Sequence, residues 1–341
     1  MQRRTLLSAS LGLGALAGLS GASDDWLHSG PASTGAAEGL RLHSGSGLAF
    51  GTTVTIKVLH TDDLTAQTAI AAALQQVHHI DTLMSLHQES SQVFQLNQHG
   101  SLARPHDHLL QVLTFTQQLS MLTRGAFDIT VQPLWQAFSR ASTQGILPTQ
   151  AETARAKALV NWQRIDVASA QVRFGTPGMA ITLNGVAQGY AVDLATAALL
   201  EHGVQHALLN TGEFGAIGSK AHNQAWQLGI GHPRHADALA ATLKMDGRKV
   251  ATSGDYETYF SPDFVHHHIF DPVSGDSPLE LASVTVLAPT GILADGLSTA
   301  FMVMGSDKAL ALSAKIHDVD VMLIDKNGEI RTSANFPALA L

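Results

Sequence analysis

The sequence predicts an α+β fold, a single mixed α/β domain rather than a doubly wound sheet. Two observations lead there. Apolar residues at period two and at helical spacing interleave along the chain without a regular βαβ rhythm. The 341 residues are 45% hydrophobic and 6% aromatic, a globular composition with ample core and no internal repeat.

The first segment reads as an address. Gln2-Arg3-Arg4-Thr5-Leu6-Leu7 precedes an apolar, glycine-rich run from Leu11 to Leu19, and Ser20-Gly21-Ala22 supplies small residues for cleavage. Residues 1–22 therefore resemble a twin-arginine export signal, too short for a comfortable membrane span. Residues 23–46 read as a flexible leader before a domain over 47–341.

Thr53–Leu59 alternates at period two and predicts a strand. Leu64–Leu86 has helical spacing behind a capping Thr61-Asp62-Asp63, and Pro105–Leu122 predicts a second helix ending near Gly125. Gln144–Glu152 reads as a surface loop and Val160–Phe174 as a strand pair. Gly189–His202 predicts a helix stopped by Gly203, followed by strands over Gln205–Asn210 and Trp226–Ile230. Leu281–Leu287 predicts an apolar strand, Ile292–Met304 a helix and Val321–Ile324 a late strand.

Composition excludes several functions. The formal charge of −8, with no overriding basic cluster, argues against a nucleic-acid partner. The lack of cysteine removes disulfides, thiolate metal sites and a lipid-modified N-terminal Cys. Eighteen histidines invite a metal reading.

Four clusters could carry chemistry. Gly125 to Leu134, with Asp128 and Pro133, suggests a tight loop presenting amides and one carboxylate, though a capping Asp explains it equally well. Thr182 to Asp193 reads as a strand entering a glycine-spaced turn and then a helix. Gly185 and Gly189 would let backbone approach a ligand, and the helix start offers free N–H groups to a phosphate; a plain structural turn is the alternative. In the third cluster, Ala251 to Tyr256 is followed by His266-His267-His268. On a strand those side chains alternate, so at most two converge, and a surface strand with one functional histidine is expected over a His-rich metal site. The remaining histidines are scattered or paired without zincin spacing. Finally, Asp295, Ser298 and Thr299 fall at i, i+3 and i+4 on an apolar helix. This all-oxygen set suits Mg²⁺, while hydroxyls bonding back to the preceding turn are the structural alternative.

Five motifs occur in family order: Phe127-Asp128-Ile129-Thr130-Val131-Gln132-Pro133-Leu134, Asn184 to Asp193, Thr252-Ser253-Gly254, His268-Ile269-Phe270-Asp271-Pro272 with Ser274-Gly275, and Ala294-Asp295 through Thr299. Over residues 48–325 they resemble the FAD:protein FMN transferase (ApbE) family. The Arg pair and the Leu183 to Tyr190 wording are closest to its NosX branch, associated with maturation of nitrous oxide reduction systems. The resemblance implies a mixed α+β domain of the ApbE flavin-transferase type. It implies an enzyme that uses Mg²⁺ to cleave FAD and attach FMN through a phosphoester to a Thr or Ser of a target flavoprotein, releasing AMP. By motif position, Mg²⁺ falls to Asp295 and Thr299, with Ser298 beside them and the Gly185 carbonyl, and Asp295 is the only acid in that set. FAD contacts fall to Phe50, His87, Ala126, Phe127, Asp128, Thr182, Gln188 and Phe270. His268 is the candidate base for the acceptor hydroxyl, because imidazole titrates near neutrality.

The chain departs from the family where Thr182 replaces an acid, Gln188 a Lys or Glu, His87 a Tyr and Phe50 a Met. These bear on FAD contacts more than on the metal. Without a lipidated Cys, the protein is expected to be soluble in the periplasm after export, with a target that could itself be membrane-bound. Two alternatives stand beside this: a Mg²⁺-dependent FAD pyrophosphatase yielding FMN and AMP, which would use the same site, and a non-catalytic FAD carrier, against which the Asp295–Ser298–Thr299 metal set argues.

Overall fold

The computed structural model describes residues 39–220 and 224–339. The export signal and most of the leader lie outside these residues. The leader also ends sooner than expected. Residues 41–46 belong to β1 (Arg41–Ala49), which pairs antiparallel with β2 (Thr52–His60) through a turn at Phe50-Gly51. Register with β2 imposes the strand on a polar, glycine-containing segment that has no strong propensity of its own.

An eight-stranded sheet is the frame, in the order β1-β2-β6-β7-β10-β11-β12-β13. The added strands are β6 (Ala207–Asn210), β7 (Phe214–Ile217), β10 (Lys249–Gly254), β11 (Leu281–Ala288), β12 (Asp320–Asp325) and β13 (Ile330–Thr332). Every pairing among these strands is antiparallel, which is why no βαβ rhythm marks the sequence.

Four helices cover one face: α1 (Asp63–Met84), α3 (Asp107–Leu122), α6 (Ala187–Glu201) and α7 (Gly291–Met304). Val54, Ile56 and Val58 of β2 meet Ala66, Ile70, Ala73 and Val77 of α1 in the main core. A small sheet of β8 (Gln227–His232), β9 (His235–Lys244) and β14 (Ala338–Leu339) contributes to a second apolar cluster, where Ile230 and Leu243 join Leu59, Leu287 and Met322 of the large sheet. β11 is therefore buried along its whole length and reads as a continuous apolar run. A third sheet, β3 (Ser101–Ala103), β5 (Gln171–Phe174) and β4 (Ile165–Val167), contains the expected strand pair.

Three local readings change. Pro133 stands in the first turn of α4 (Gln132–Ser142), where its missing N–H costs nothing, so the end of the supposed loop is helix. The Gln144–Glu152 loop holds as far as Thr149, where a reciprocal Thr149–Glu152 capping box starts α5 (Gln150–Lys157). A short helix, α2 (Gln92–His99), precedes β3 and is capped by Ser91. α8 (Ser306–Ser313) completes the set. Among the described residues no helix is long and apolar enough to cross a membrane.

Candidate active site

The site forms where the start of α6 meets the middle of α7 beside the end of β10. Gly189 and Gly291 let the helices touch: a Cβ on either would collide with the other's carbonyl oxygen. That approach lets the Gly189 N–H donate to Asp295 Oδ2 at 2.9 Å. This amide lies in the first turn of α6, where no intrahelical acceptor is available, so a carboxylate there is favoured by both the free donor and the helix dipole. Asp193, from the same helix, accepts from Gly291 N (2.7 Å) and Ile292 N (3.0 Å), capping α7 in return.

Three hydroxyls line the next turn. Ser298 Oγ donates to the Asp295 carbonyl at 2.8 Å, so in its 2.7 Å contact with Ser253 Oγ it accepts. Ser253 then has no proton left for Thr299 Oγ1 at 3.3 Å, and Thr299 is the donor there, keeping its own lone pairs free. Ser298, wholly buried, thus matches the back-bonding alternative, whereas Thr299 keeps ligand capacity. Gly185 lies against it: a Cβ there would stand 2.8 Å from Thr299 Oγ1 and 3.5 Å from Phe127 Cε2. The structure therefore brings Phe127, Gly185, Asp295, Ser298 and Thr299 together.

Asp295 is not alone, contrary to the expectation of a single acid. Glu213, beyond the end of β6, is buried and accepts from Thr252 N at 3.2 Å. Burial first, then Asp295 and Glu257, push its carboxyl well above the usual range. Burial likewise pushes Asp295 up to about 7, with Glu257 and Asp193 adding to the rise and the Gly189 amide opposing it. Buried acids with no internal cation are costly, and a divalent cation is the chemistry that relieves them. The residues present fit Mg²⁺. Glu213 carried no sequence signal; only the β6–β7 turn places it here.

Gln188 turns to the same turn, its Nε2 donating to the Thr211 carbonyl (3.3 Å) while Thr211 Oγ1 donates to the Gln188 carbonyl (3.1 Å). Thr182 does not end a strand: the chain there is irregular, and Thr182 N donates to the Ile129 carbonyl at 2.8 Å. That bond ties the first cluster to the second. Asp128 serves as a cap, its Oδ1 accepting from Thr130 N (2.8 Å) and Oγ1 (2.6 Å) and its Oδ2 from Trp162 N (3.1 Å). Ala126 and Phe127 are held by Thr123, through its carbonyl and its hydroxyl.

The three histidines do not lie on a regular strand; His267 alone makes an isolated bridge, to Tyr259. Each has its own partner. His266 Nδ1 meets Asp276 Oδ1 at 2.8 Å. His267 is fully buried, which holds its imidazole down to about 3, and its Nε2 donates to the Pro278 carbonyl. His268 Nδ1 donates to the Thr258 carbonyl at 3.1 Å, which leaves Nε2 unprotonated, and burial lowers its pKa. A neutral imidazole with a fixed tautomer and an open Nε2 is a ready base. The loop carrying it is anchored by buried Asp255, which accepts from Arg234 twice, at 2.7 and 2.8 Å.

The other expected FAD residues are spread wider. Phe270 packs with Phe138 and Phe260 in a separate aromatic cluster, only 3% exposed. Phe50 sits at the β1–β2 turn with a left-handed φ of 53°, and His87 lies exposed just beyond α1. None of the described hydrogen bonds joins Phe50 or His87 to the Asp295 cluster. An open depression of about 610 Å³ near Asp246, Arg248 and Asp320 contains none of these residues.

Residues 50–323 match the model of the ApbE family. The chain is 31% identical over 301 residues to a FAD:protein FMN transferase of Vibrio cholerae, covering 83% of this chain and 87% of that protein. A FAD:protein FMN transferase of Haemophilus influenzae is 32% identical, with 85% and 87% covered. The crystal structure of the ApbE protein of Thermotoga maritima superposes with a TM-score of 0.77 at 28% identity, covering 86% of this chain and 97% of that one.

Proposed function

The chain belongs to the ApbE family, and on that premise we propose that it is a Mg²⁺-dependent FAD:protein FMN transferase. The acceptor hydroxyl of a target Thr or Ser attacks the phosphorus of the FMN half of FAD. The bond from that phosphorus to the bridging oxygen breaks, AMP leaves with that oxygen, and FMN stays on the target as a phosphoester. The hydroxyl proton passes to Nε2 of His268, which is open because Nδ1 is committed to Thr258. Asp295, Thr299 and the Gly185 carbonyl would hold Mg²⁺, with Ser298 beside them. A bound ion there supplies charge neutralisation to the pyrophosphate. Phe50, His87, Ala126, Phe127, Asp128, Thr182 and Gln188 are the flavin-nucleotide contacts in this reading, and Phe270 supports the loop from its aromatic cluster.

The carrying observation is the buried Asp295 held at the start of α6 next to the uncommitted lone pairs of Thr299 and the Gly185 cradle. A carrier of intact FAD has no use for such a set. The test is incubation of the protein with FAD, Mg²⁺ and a candidate acceptor, followed by intact mass measurement. The expected result is an acceptor heavier by one FMN, with AMP released. Free FMN and AMP without an adduct would mean a pyrophosphatase, and unchanged FAD a carrier.

The same reading places the protein in the periplasm by twin-arginine export, supported by Arg3 and Arg4. Replacing both with Lys should leave precursor in the cytoplasm; unchanged periplasmic yield removes that route. The NosX-like wording makes acceptors of nitrous oxide reduction systems the first to try.

A further inference from the structure

Away from the Asp295 cluster, three histidines that are not evenly spaced in sequence converge. His79 comes from α1, His106 caps α3 and His108 lies in its first turn. Their ring centroids are 5.1 Å (79–106), 5.7 Å (79–108) and 5.1 Å (106–108) apart. One nitrogen from each lies within 4.8 Å of the other two. We propose that His79, His106 and His108 form a binding site for one borderline transition-metal dication of the Zn²⁺ class, separate from the Mg²⁺ site.

The donor set decides the ion. Three imidazoles suit Zn²⁺, Co²⁺, Ni²⁺ or Cu²⁺ and do not suit Mg²⁺, which takes oxygen. Nitrogens bound to zinc at about 2.0–2.1 Å in a tetrahedron stand roughly 3.4 Å from one another. The observed spread must close by side-chain rotation, for which exposed His79 has room.

An outer partner already orients one ligand. Tyr190 Oη donates to Gln111 Oε1 at 2.6 Å, so in its 2.7 Å contact with His108 Nδ1 it accepts. The proton is thereby fixed on Nδ1 and the Nε2 lone pair of His108 is left free. Metal-bound histidines are held in this way, with the far ring nitrogen donating to a fixed oxygen. His106 pays the opposite cost: its Nδ1 accepts from His108 N at 3.1 Å, and ligation through Nε2 moves the proton to Nδ1 and releases that capping bond. Loading should therefore loosen the first turn of α3, visible as a shift of the His108 amide resonance.

The test is equilibrium dialysis of the full chain against Zn²⁺ in excess Mg²⁺, with Co²⁺ absorption as a spectroscopic readout. The expected result is one Zn²⁺ per chain that Mg²⁺ does not displace. His79→Gln removes an exposed ligand, and His106→Asn removes an imidazole while keeping a good helix cap; each should weaken Zn²⁺ at least about 10-fold. Tyr190→Phe, which leaves the ligands but frees His108 to turn, should weaken it roughly 10-fold or more and change the cobalt bands. Flavin transfer by zinc-free His79→Gln should equal wild type, so failure of this site and failure of the transferase reading are distinguishable. No Zn²⁺ binding, or the same affinity in the doubly substituted chain, would overturn the site and place any bound zinc on other histidines.

Discussion

Two neighbouring residues of α6 face two different sites. Gly189 presents its amide to Asp295, and Tyr190 presents its hydroxyl to His108. The Asp295 side is buried, built of carboxylates and hydroxyls, and its acids repel one another. The His108 side is at the surface, built of imidazoles, and uncharged when its ligands are in binding form. Burial with like charges makes an oxygen site that is strained without its cation and has high demand for a hard one. Surface imidazoles make a site that rests comfortably empty. One helix turn can thus serve two coordination chemistries because the Gly189 amide meets α7 while the Tyr190 side chain reaches α3.

The largest expected effects fall on the buried side. His268→Ala should lower FMN transfer roughly 10²–10⁴-fold with FAD affinity held within a few-fold, since only the proton acceptor is lost. Equal transfer rates would leave His268 a structural residue of its loop. Asp295→Asn keeps the shape and can still accept from Gly189 N, yet removes charge from the cation site. Transfer should fall roughly 10²–10³-fold, and the residual rate should no longer respond to Mg²⁺. Zn²⁺ binding at the histidines should be unchanged, and a parallel loss of both would merge the two sites into one.

A smaller effect is expected at Gly185. The methyl group of Gly185→Ala would press on Thr299 Oγ1 at 2.8 Å and displace it, raising the Mg²⁺ concentration needed for half-maximal transfer by about tenfold, the cost of disturbing a ligand rather than removing it. An unchanged Mg²⁺ requirement would take Thr299 out of the ligand set.

The gentlest measurement is thermal melting against pH. Asp295 is raised in the folded chain from 3.8 to about 7, so the folded state holds its proton where the unfolded chain has released it. Stability without metal should therefore fall as pH rises from about 4 to 7 and stay low above that. Mg²⁺ should raise the melting temperature more at pH 8 than at pH 5, and Asp295→Asn should lessen the pH dependence, leaving the part carried by buried Glu213 and by Glu257. A metal-free wild-type chain whose melting point does not fall over that range would contradict a strained acid cluster.

Much of the frame was legible from pattern. Period-two alternation marked β2, apolar runs marked β6 and β11, helical patterns marked α1, α3, α6 and α7, and their order without a βαβ rhythm gave the α+β class. These features are local, and each residue's neighbours in sequence carry the signal. β1 and α2 escaped because their stability comes from pairing and packing rather than from apolar periodicity. The Asp295–Ser298–Thr299 face was legible for the same reason, since i, i+3 and i+4 place residues together on any helix.

The rest required long-range contacts. Family order among five motifs pointed to one site, but Glu213 entered it only because the β6–β7 turn lies under Thr252. Ser298 and Thr299 look alike in sequence; the Asp295 carbonyl and Ser253 of β10 together commit Ser298 and leave the Thr299 lone pairs uncommitted. His266-His267-His268, the most conspicuous metal-like string, is dispersed to three separate partners. His79, His106 and His108, which no spacing rule connects, meet because α1, α3 and α6 pack together. Sequence alone determined which chemistry-bearing residues are available and which local elements carry them. Tertiary structure decided their protonation, their free lone pairs and their company, because burial and hydrogen bonding depend on neighbours distant along the chain.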